Sequence, residues 1–407
     1  MNLRGLLQIG LGWVIAFSAH AHDDASGAHA GHGSHAARPQ LATGAAFAPD
    51  GSLWVVGLNE QLQLFVQNTS PNSLTDWSAP KILDTQGDAI SADGENRPKI
   101  AFGPNHWVVI SYTKPLVKPY TGFIRMLRSE DGGKNFSPPF TVHRDKQEIT
   151  HRFESIAFDP KGNLHTLWID KRDQPAKNSG QNYVGAAVYR NVSPDGGKTF
   201  GQDIKVADHS CECCRIALAF DAKGGLQALW RHVFGEQTRD HAFAHVMSSQ
   251  PNQISRASFD DWQINACPHH GPGLASSMAD GVQTGYHAVW FGIRQINGEV
   301  LAAVRYGQLN SEGQPIEQSI RVLPDARAEH ADVMADGKKV AIVWRSTEGA
   351  STQLKAWLST DAGQSFELKD LSQAQGYNDH PRLVQSKDRM VVVWRTMNGV
   401  QVHALAF

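Results

Sequence analysis

Seven times along its 407 residues the chain returns to one short phrase, an apolar, strand-like run carrying a tryptophan. The runs are SLWVVG (52–57), HWVVISY (106–112), LHTLWID (164–170), LQALWRH (226–232), YHAVWFG (286–292), VAIVWRS (340–346) and MVVVWRT (390–396). They recur every ~50–60 residues, the period of a repeat architecture. Most follow another short strand and a turn: AAFAPDGS, IAFGPN, IAFDPKGN, LAFDAKGG, MADGKK and LVQSKDR. A third strand is visible in FIRMLRS, GAAVYRNV and KAWLST. A small antiparallel sheet cannot bury both faces alone, and stacking such sheets radially does bury them. The fold expected is all-β: a seven-bladed β-propeller with four-stranded antiparallel blades. The alternative is a six-bladed ring with one degenerate repeat. The last repeat stops after VQVHALAF, so Arg38 to Thr43 are expected to supply its missing outer strand.

Composition agrees with this. The chain has 37 Gly and 11 Trp, and only 19% of its residues are charged, which favours turns and strands over long helices. A net charge of -2 gives no field for a nucleic-acid partner. Arg4, the apolar run Leu6 to Phe17 and Ala19-His20-Ala21 together read as a cleaved signal peptide over 1–21. A periplasmic or secreted protein is therefore expected, and no later run has the ~20 apolar residues of a membrane helix. Residues 22–38 lack apolar periodicity and read as a disordered segment. Their His22, His29, His32 and His35 are candidates for metal capture. The propeller is expected over 39–407, as a monomer.

Three segments, SEDGGKNF (129–136), SPDGGKTF (193–200) and STDAGQSF (359–366), resemble the Asp box, Ser-x-Asp-x-Gly-x-Thr-Phe, of the sialidase-like propeller superfamily. All follow a third strand. Asp131, Asp195 and Asp361 would accept backbone N–H groups, glycine would supply an unusual φ, and an aromatic ring would pack beneath. The resemblance implies a fold and a structural role for these turns, without chemistry.

Up-and-down strand order brings the loops leading into each innermost strand to one face, around the axis. These inlets read ENRP (95–98), THRFE (150–154), HSCECCR (209–215), CPHHGP (267–272), AEH (328–330) and NDHPR (378–382). The candidate metal ligands are His151, His209, His269, His270, His330 and His380, with Cys211, Cys213, Cys214 and Cys267. An even cysteine count in an exported protein points to disulfides, with Cys267 tied to one of the other three and the remaining two paired locally. Clustered thiolates beside imidazoles equally suit a soft metal, copper before zinc.

The sialidase-like resemblance implies a second reading, a hydrolase or lyase with an arginine clamp on a carboxylate and a tyrosine nucleophile. Arg97, Arg152, Arg215 and Arg382 would form the clamp. Tyr377 would be the nucleophile, Glu154 its partner, and Asp93 or Asp170 the acid. The family's Arg-Ile-Pro inlet survives here only as Arg97-Pro98. A third reading is a non-catalytic module that binds a glycan or a protein. The function expected is an exported propeller binding a transition metal, copper, or another ligand on its axial face.

Overall fold

The computed structural model describes residues 39–407, apart from 72, 175–184, 247–252, 265, 267, 280 and 388. The expected signal peptide and His-rich segment therefore lie outside the described residues. The chain forms seven antiparallel sheets in sequence order. Blade 1 holds β1 (Gly44–Phe47), β2 (Leu53–Leu58), β3 (Leu64–Asn68) and β4 (Lys81–Ile82), and blade 2 holds β5 (Lys99–Phe102), β6 (Val108–Pro115), β7 (Gly122–Ser129) and β8 (Phe140–Thr141). Blade 3 has β9 (His151–Phe158), β10 (Leu164–Asp170), β11 (Ala186–Ser193) and β12 (Ile204–Ser210), and blade 4 has β13 (Ala217–Phe220), β14 (Leu226–Arg231), β15 (His241–His245) and β16 (Ile254–Arg256). Blade 5 has β17 (Gly273–Ala279), β18 (Val282–Ile296), β19 (Glu299–Leu309) and β20 (Arg321–Val322). Blade 6 has β21 (Ala328–Asp336), β22 (Lys339–Glu348), β23 (Ser351–Ser359) and β24 (Glu367–Gln375), and blade 7 has β25 (Arg382–Ser386), β26 (Arg389–Thr396) and β27 (Gly399–Ala404). This is a seven-bladed β-propeller, not the six-bladed alternative. Among the described residues no helix is long and apolar enough to cross a membrane.

The second strands are continuous apolar runs because both faces of every blade are covered. β10 is buried along its whole length. The apolar cores lie between neighbouring blades. Val109, Ile124 and Met126 of blade 2 meet Leu164, Trp168 and Ala187 of blade 3. The ring is closed in the same way, by Leu53, Val55 and Phe65 of blade 1 against Val384, Val391 and Val393 of blade 7.

Blade 7 corrects one expectation. It has three strands, and residues 39–43 add none to it. Closure is by side chains instead. The Thr43 N–H donates to Asp379 Oδ2 at 2.9 Å, and Arg97 Nη1 spans both residues, 2.8 Å from Thr43 O and 3.0 Å from Asp379 Oδ2.

The seven tryptophans fall into two structural classes. Trp230, Trp290, Trp344 and Trp394 each follow a second-strand residue paired with the innermost strand: Leu229 with Ala217, Val289 with Gly273 and Val393 with Arg382 at that strand's start, and Val343 with Asp332 just past the bulge in β21. They are buried, as is Trp168 in β10. The indoles of Trp290, Trp344 and Trp394 reach loop acceptors, Asp260 Oδ2 at 2.8 Å, Asp325 Oδ2 at 2.9 Å and Asp379 O at 2.9 Å. In blades 1 and 2 that position is held by Gly57 and Tyr112, by the same register. Trp54 and Trp107 sit instead at the other end of their strands, where each is the seat of the next blade's Ser-x-Asp turn. Gly133 faces Trp54 and Gly196 faces Trp107, both at positive φ, so closely that a Cβ on either would strike the indole.

Those turns share one hydrogen-bond pattern. Ser129 Oγ donates to Asp131 Oδ1 at 2.7 Å and accepts the Gly133 N–H at 2.9 Å, while Asp131 Oδ1 accepts the Asn135 N–H at 2.9 Å. Asp195 and Asp361 repeat it with Thr199 and Ser365. Each turn links a third strand to a fourth, which places it on the face opposite the inlets. A buried tryptophan of the first class is worth far more than surface substitutions. Trp168→Ala is expected to lower the unfolding free energy by about 3–5 kcal/mol, read from urea or guanidinium titrations.

Candidate functional site

The inlet of blade 2 reaches across the axis. Asp93 Oδ1 accepts the N–H groups of Glu95 (3.1 Å) and Asn96 (2.8 Å), a local turn that aims Glu95 inward. Glu95 is 3% exposed. Its Oε1 accepts from Arg215 Nη1 at 2.8 Å and His330 Nδ1 at 3.3 Å, and lies 3.5 Å from His380 Nδ1. Its Oε2 accepts the N–H groups of Arg215 at 3.1 Å and Gly271 at 2.9 Å. One carboxylate of blade 2 thus engages blades 4 to 7. Burial raises the Glu95 pKa, but the Arg215 charge and the bonds from His330 and His380 outweigh it and hold the carboxyl well below its usual range. Gly94 lies flat against the His380 ring, where any side chain would collide.

Three histidines from consecutive blades stack beside this hub. Ring centroids are 4.3 Å apart for His270 and His330 and 3.4 Å for His330 and His380, with interplanar angles of 7° and 13°. Phe291 closes the outer end, 4.4 Å from His270. Burial first, and the neighbouring His330 next, push His270 and His380 well below the usual imidazole range, so both are neutral. Glu95, His330 and His380 hold their ligand-type atoms within 4.8 Å of one another. Yet the stacked rings place their nitrogens in separate parallel planes, and both Glu95 oxygens already accept strong donors.

Arg97, Arg215 and Arg382 line an axial cavity of about 250 Å³ with Lys99 and Asp332, and Ile100, Ile156 and Leu274 contribute apolar wall. Each arginine has a carboxylate partner: Asp379 at 3.0 Å, Glu95 at 2.8 Å and Asp332 at 3.3 Å. The rest of the proposed hydrolytic set is scattered. Arg152 lies over the Phe153 ring at 4.8 Å. Glu154 is buried against Lys99, Ser111 and Thr113. Tyr377 is 52% exposed and does not line the cavity. Asp93 holds the turn described above, and Asp170 binds Trp168 and Arg172.

Three of the predicted histidines lie outside this stack. His151 stacks on His143 at 3.8 Å, with Nδ1 3.2 Å from Gly122 O. Its ring thus packs against blade 2 side chains, with Phe123 5.9 Å away. His209 lies edge-on to His232 at 6.3 Å. His269 is half-buried in the blade 5 inlet at φ +50°.

Cys211, Cys213 and Cys214 are buried in the core between blades 3 and 4, with Phe153, Leu167, Ile169, Ile216 and Trp230. The Cys211 N–H donates to Arg231 O at 3.0 Å, which fixes the inlet on β14. Sγ atoms are 3.7 Å apart for Cys211 and Cys213, and 3.9 Å for Cys213 and Cys214. A disulfide needs about 2.05 Å, so the expected local bridge is not formed among the described cysteines. Cys267, its other expected partner, lies outside the described residues. All three sulfurs fall within 4.8 Å of one another. Sequence reading passed over Glu95, Asp379 and Arg231 as site residues. Their signal was positional, since Glu95 and Asp379 occupy inlets equivalent to those that carry the histidines.

No family model matches the chain, and no curated protein does. Solved structures match in fold. The polysaccharide lyase Uly1 aligns with a TM-score of 0.53 at 9% identity, over 94% of this chain and 94% of that one. A GH93 α-L-arabinofuranosidase of Fusarium graminearum, in complex with arabinobiose, aligns with a TM-score of 0.51 at 12% identity, over 82% and 92%. The Hadza microbial sialidase Hz136 aligns with a TM-score of 0.48 at 14% identity, over 81% and 65%. The alignments with the lyase and the arabinofuranosidase show a shared propeller fold.

The buried axial groups give stability a direction with pH. His270 and His380 have folded pKa values below the unfolded ~6.5, so acid protonates the unfolded chain first. Glu95 acts with the same sign lower down, its contribution being lost as pH falls from ~4.5 through its depressed folded pKa. Urea titrations at pH 7.5 and 5.5 should therefore show lower stability at the acid value. Each such histidine adds a slope of up to ~1.4 kcal/mol per pH unit, and His380→Gln should flatten the dependence.

Proposed function

We propose that this chain is a soft-metal-binding propeller and that its metal is Cu(I), held by Cys211, Cys213 and Cys214. The observation that carries the reading is the sulfur spacing. Two thiolates on one ion at ~2.3 Å stand roughly 3.8 Å apart at a tetrahedral angle and roughly 4.0 Å apart at the 120° of a three-coordinate ion, close to the 3.7 and 3.9 Å here. Three sulfurs without a fourth ligand-type atom among the described residues in the same group suit Cu(I) better than zinc, which takes four ligands in structural sites. The apolar seam supports the same reading. Uncharged thiols are stable there, whereas thiolates need a cation beside them. The Cys214 pKa is raised well above the usual thiol range, first by its bond with Cys211. The reading includes export by the 1–21 segment and loading through His22, His29, His32 and His35. The axial histidines serve the scaffold in it, through Glu95.

The test is direct. The reduced chain, equilibrated anaerobically with Cu(I) against bicinchoninate, should retain one Cu(I). Cys213→Ser removes the central sulfur. It should weaken binding roughly a hundredfold or more, since outer-shell groups alone are worth 10–100-fold. If the chain retains neither Cu(I) nor Zn(II), or if Cys213→Ser binds as the parent does, the proposal fails.

A further inference from the structure

His232 follows the last residue of β14 and bridges to Ser210 at the end of β12. It is 4% exposed, and its Nδ1 is buried without a hydrogen-bond partner. Its ring stands between Trp230, at 6.1 Å, and Phe234, at 4.5 Å. Both of those rings pack in the core that holds Cys211, Cys213 and Cys214. Leu226 and Ala228 share that core, so the alternation of β14 carries His232 to the cysteine side of the sheet. The thiol inlet runs alongside. The Val233 N–H donates to His209 O at 2.7 Å, and the Cys211 N–H donates to Arg231 O at 3.0 Å. His209 thus precedes the first sulfur by two residues and meets His232 across this short ladder.

Four histidine pairs are in ring contact among the described residues. Three are stacked, at 8°, 7° and 13°, which holds their nitrogens in separate planes. His209 and His232 instead cross at 81°, with centroids 6.3 Å apart. That separation is long for direct contact and suits an ion between the rings. Two imidazoles bound through nitrogen on opposite sides of one ion at ~2.0 Å have centroids roughly 6 Å apart, and their planes are free to cross. Neither ring belongs to a group of three ligand-type residues among the described residues. Two donors satisfy Cu(I) and fall short of the four that structural zinc takes. Burial first, and His209 next, push the His232 pKa down to about 3, so its lone pair is available at neutral pH.

We propose that His209 and His232 form a two-imidazole entry site for Cu(I), from which the ion passes to the sulfurs of Cys211, Cys213 and Cys214. The inference rests on the metal site proposed above and adds a second site, one that sets the rate of loading. Exposure falls along the route: His209 is half-buried, and His232 and the three cysteines are buried. An ion cannot shed its water into an apolar seam unless protein donors replace that water on the way. Transfer is a ligand exchange. A Cu–N bond breaks as a Cu–S bond forms, the copper stays Cu(I), and the thiol proton leaves to solvent.

The experiment is anaerobic stopped-flow withdrawal of Cu(I) from its bicinchoninate complex by the parent chain, His232→Gln, His209→Ala and His209→Met, with thermal midpoints recorded for each. His232→Gln and His209→Ala should each slow withdrawal about tenfold or more. His209→Met restores a soft donor and should load within about threefold of the parent. A purely structural role predicts lower midpoints at the parent's loading rate, or equal slowing in His209→Ala and His209→Met. Either result overturns the proposal. The two His209 variants change a half-buried side chain, so the criterion holds even if His232→Gln does not fold. A parent chain that takes up no Cu(I) sinks the metal site and its entry together. A parent that takes up Cu(I) no faster than His209→Ala sinks the entry site alone.

Discussion

A ring of sheets has a hole at its centre, and the polar inlets around that hole must be satisfied without a shared apolar core. In this chain one carboxylate does most of that work. Glu95 accepts from Arg215, Gly271 and His330 and lies beside His380, joining blade 2 to the four blades across the axis. The apolar seams hold neighbours together pair by pair, and Glu95 holds the ring as a whole. The glycines at 94 and 271 are spaces left for it, each occupied by the ring or carboxylate that a side chain would displace. Arg97 performs the matching task at closure, linking blades 1, 2 and 7 through Thr43 and Asp379.

Much of the fold was legible from period alone. Spacing fixed the blade count and the inner two strands of nearly every blade. Period is insensitive to shifts of a few residues within a strand, however. Trp54 and Trp107 therefore counted as equivalents of Trp168, although they pack under turns at the opposite end. The outer strand of blade 7 was expected from the habit of closed rings to join their termini. The chain closes by a seam and an arginine, which leave no trace in hydrophobic pattern.

The site was legible as a location and less so as a set of partners. Inlet position correctly grouped His270, His330 and His380, because equivalent points of successive blades must converge. The same logic misplaced His151, whose ring turns sideways to His143. Direction within an inlet depends on local backbone: His330 and His269 both take positive φ, and no spacing rule announces it. Glu95 looked like an ordinary acidic loop residue, and only its burial beside Arg215 reveals its role. The cysteines left two chemistries open, and sulfur separations of 3.7 and 3.9 Å decide against a bond between the described neighbours.

The arginines of the axial cavity bear on what the fold can bind there. A carboxylate-bearing sugar could be clamped only by guanidinium groups able to turn toward it. Arg97 and Arg215 are buried and bound to Asp379 and Glu95, and Arg382, at 32% side-chain exposure, faces Asp332. Seating a ligand carboxylate on all three would strand three protein carboxylates, two of them deeply buried. Breaking one buried pair costs about 3–5 kcal/mol. A single new carboxylate gains roughly what one such pair had, so the exchange is unfavourable before any ordering of the ligand. The arginines are therefore committed to the ring. Cys211, Cys213 and Cys214, by contrast, sit in the apolar seam between blades 3 and 4.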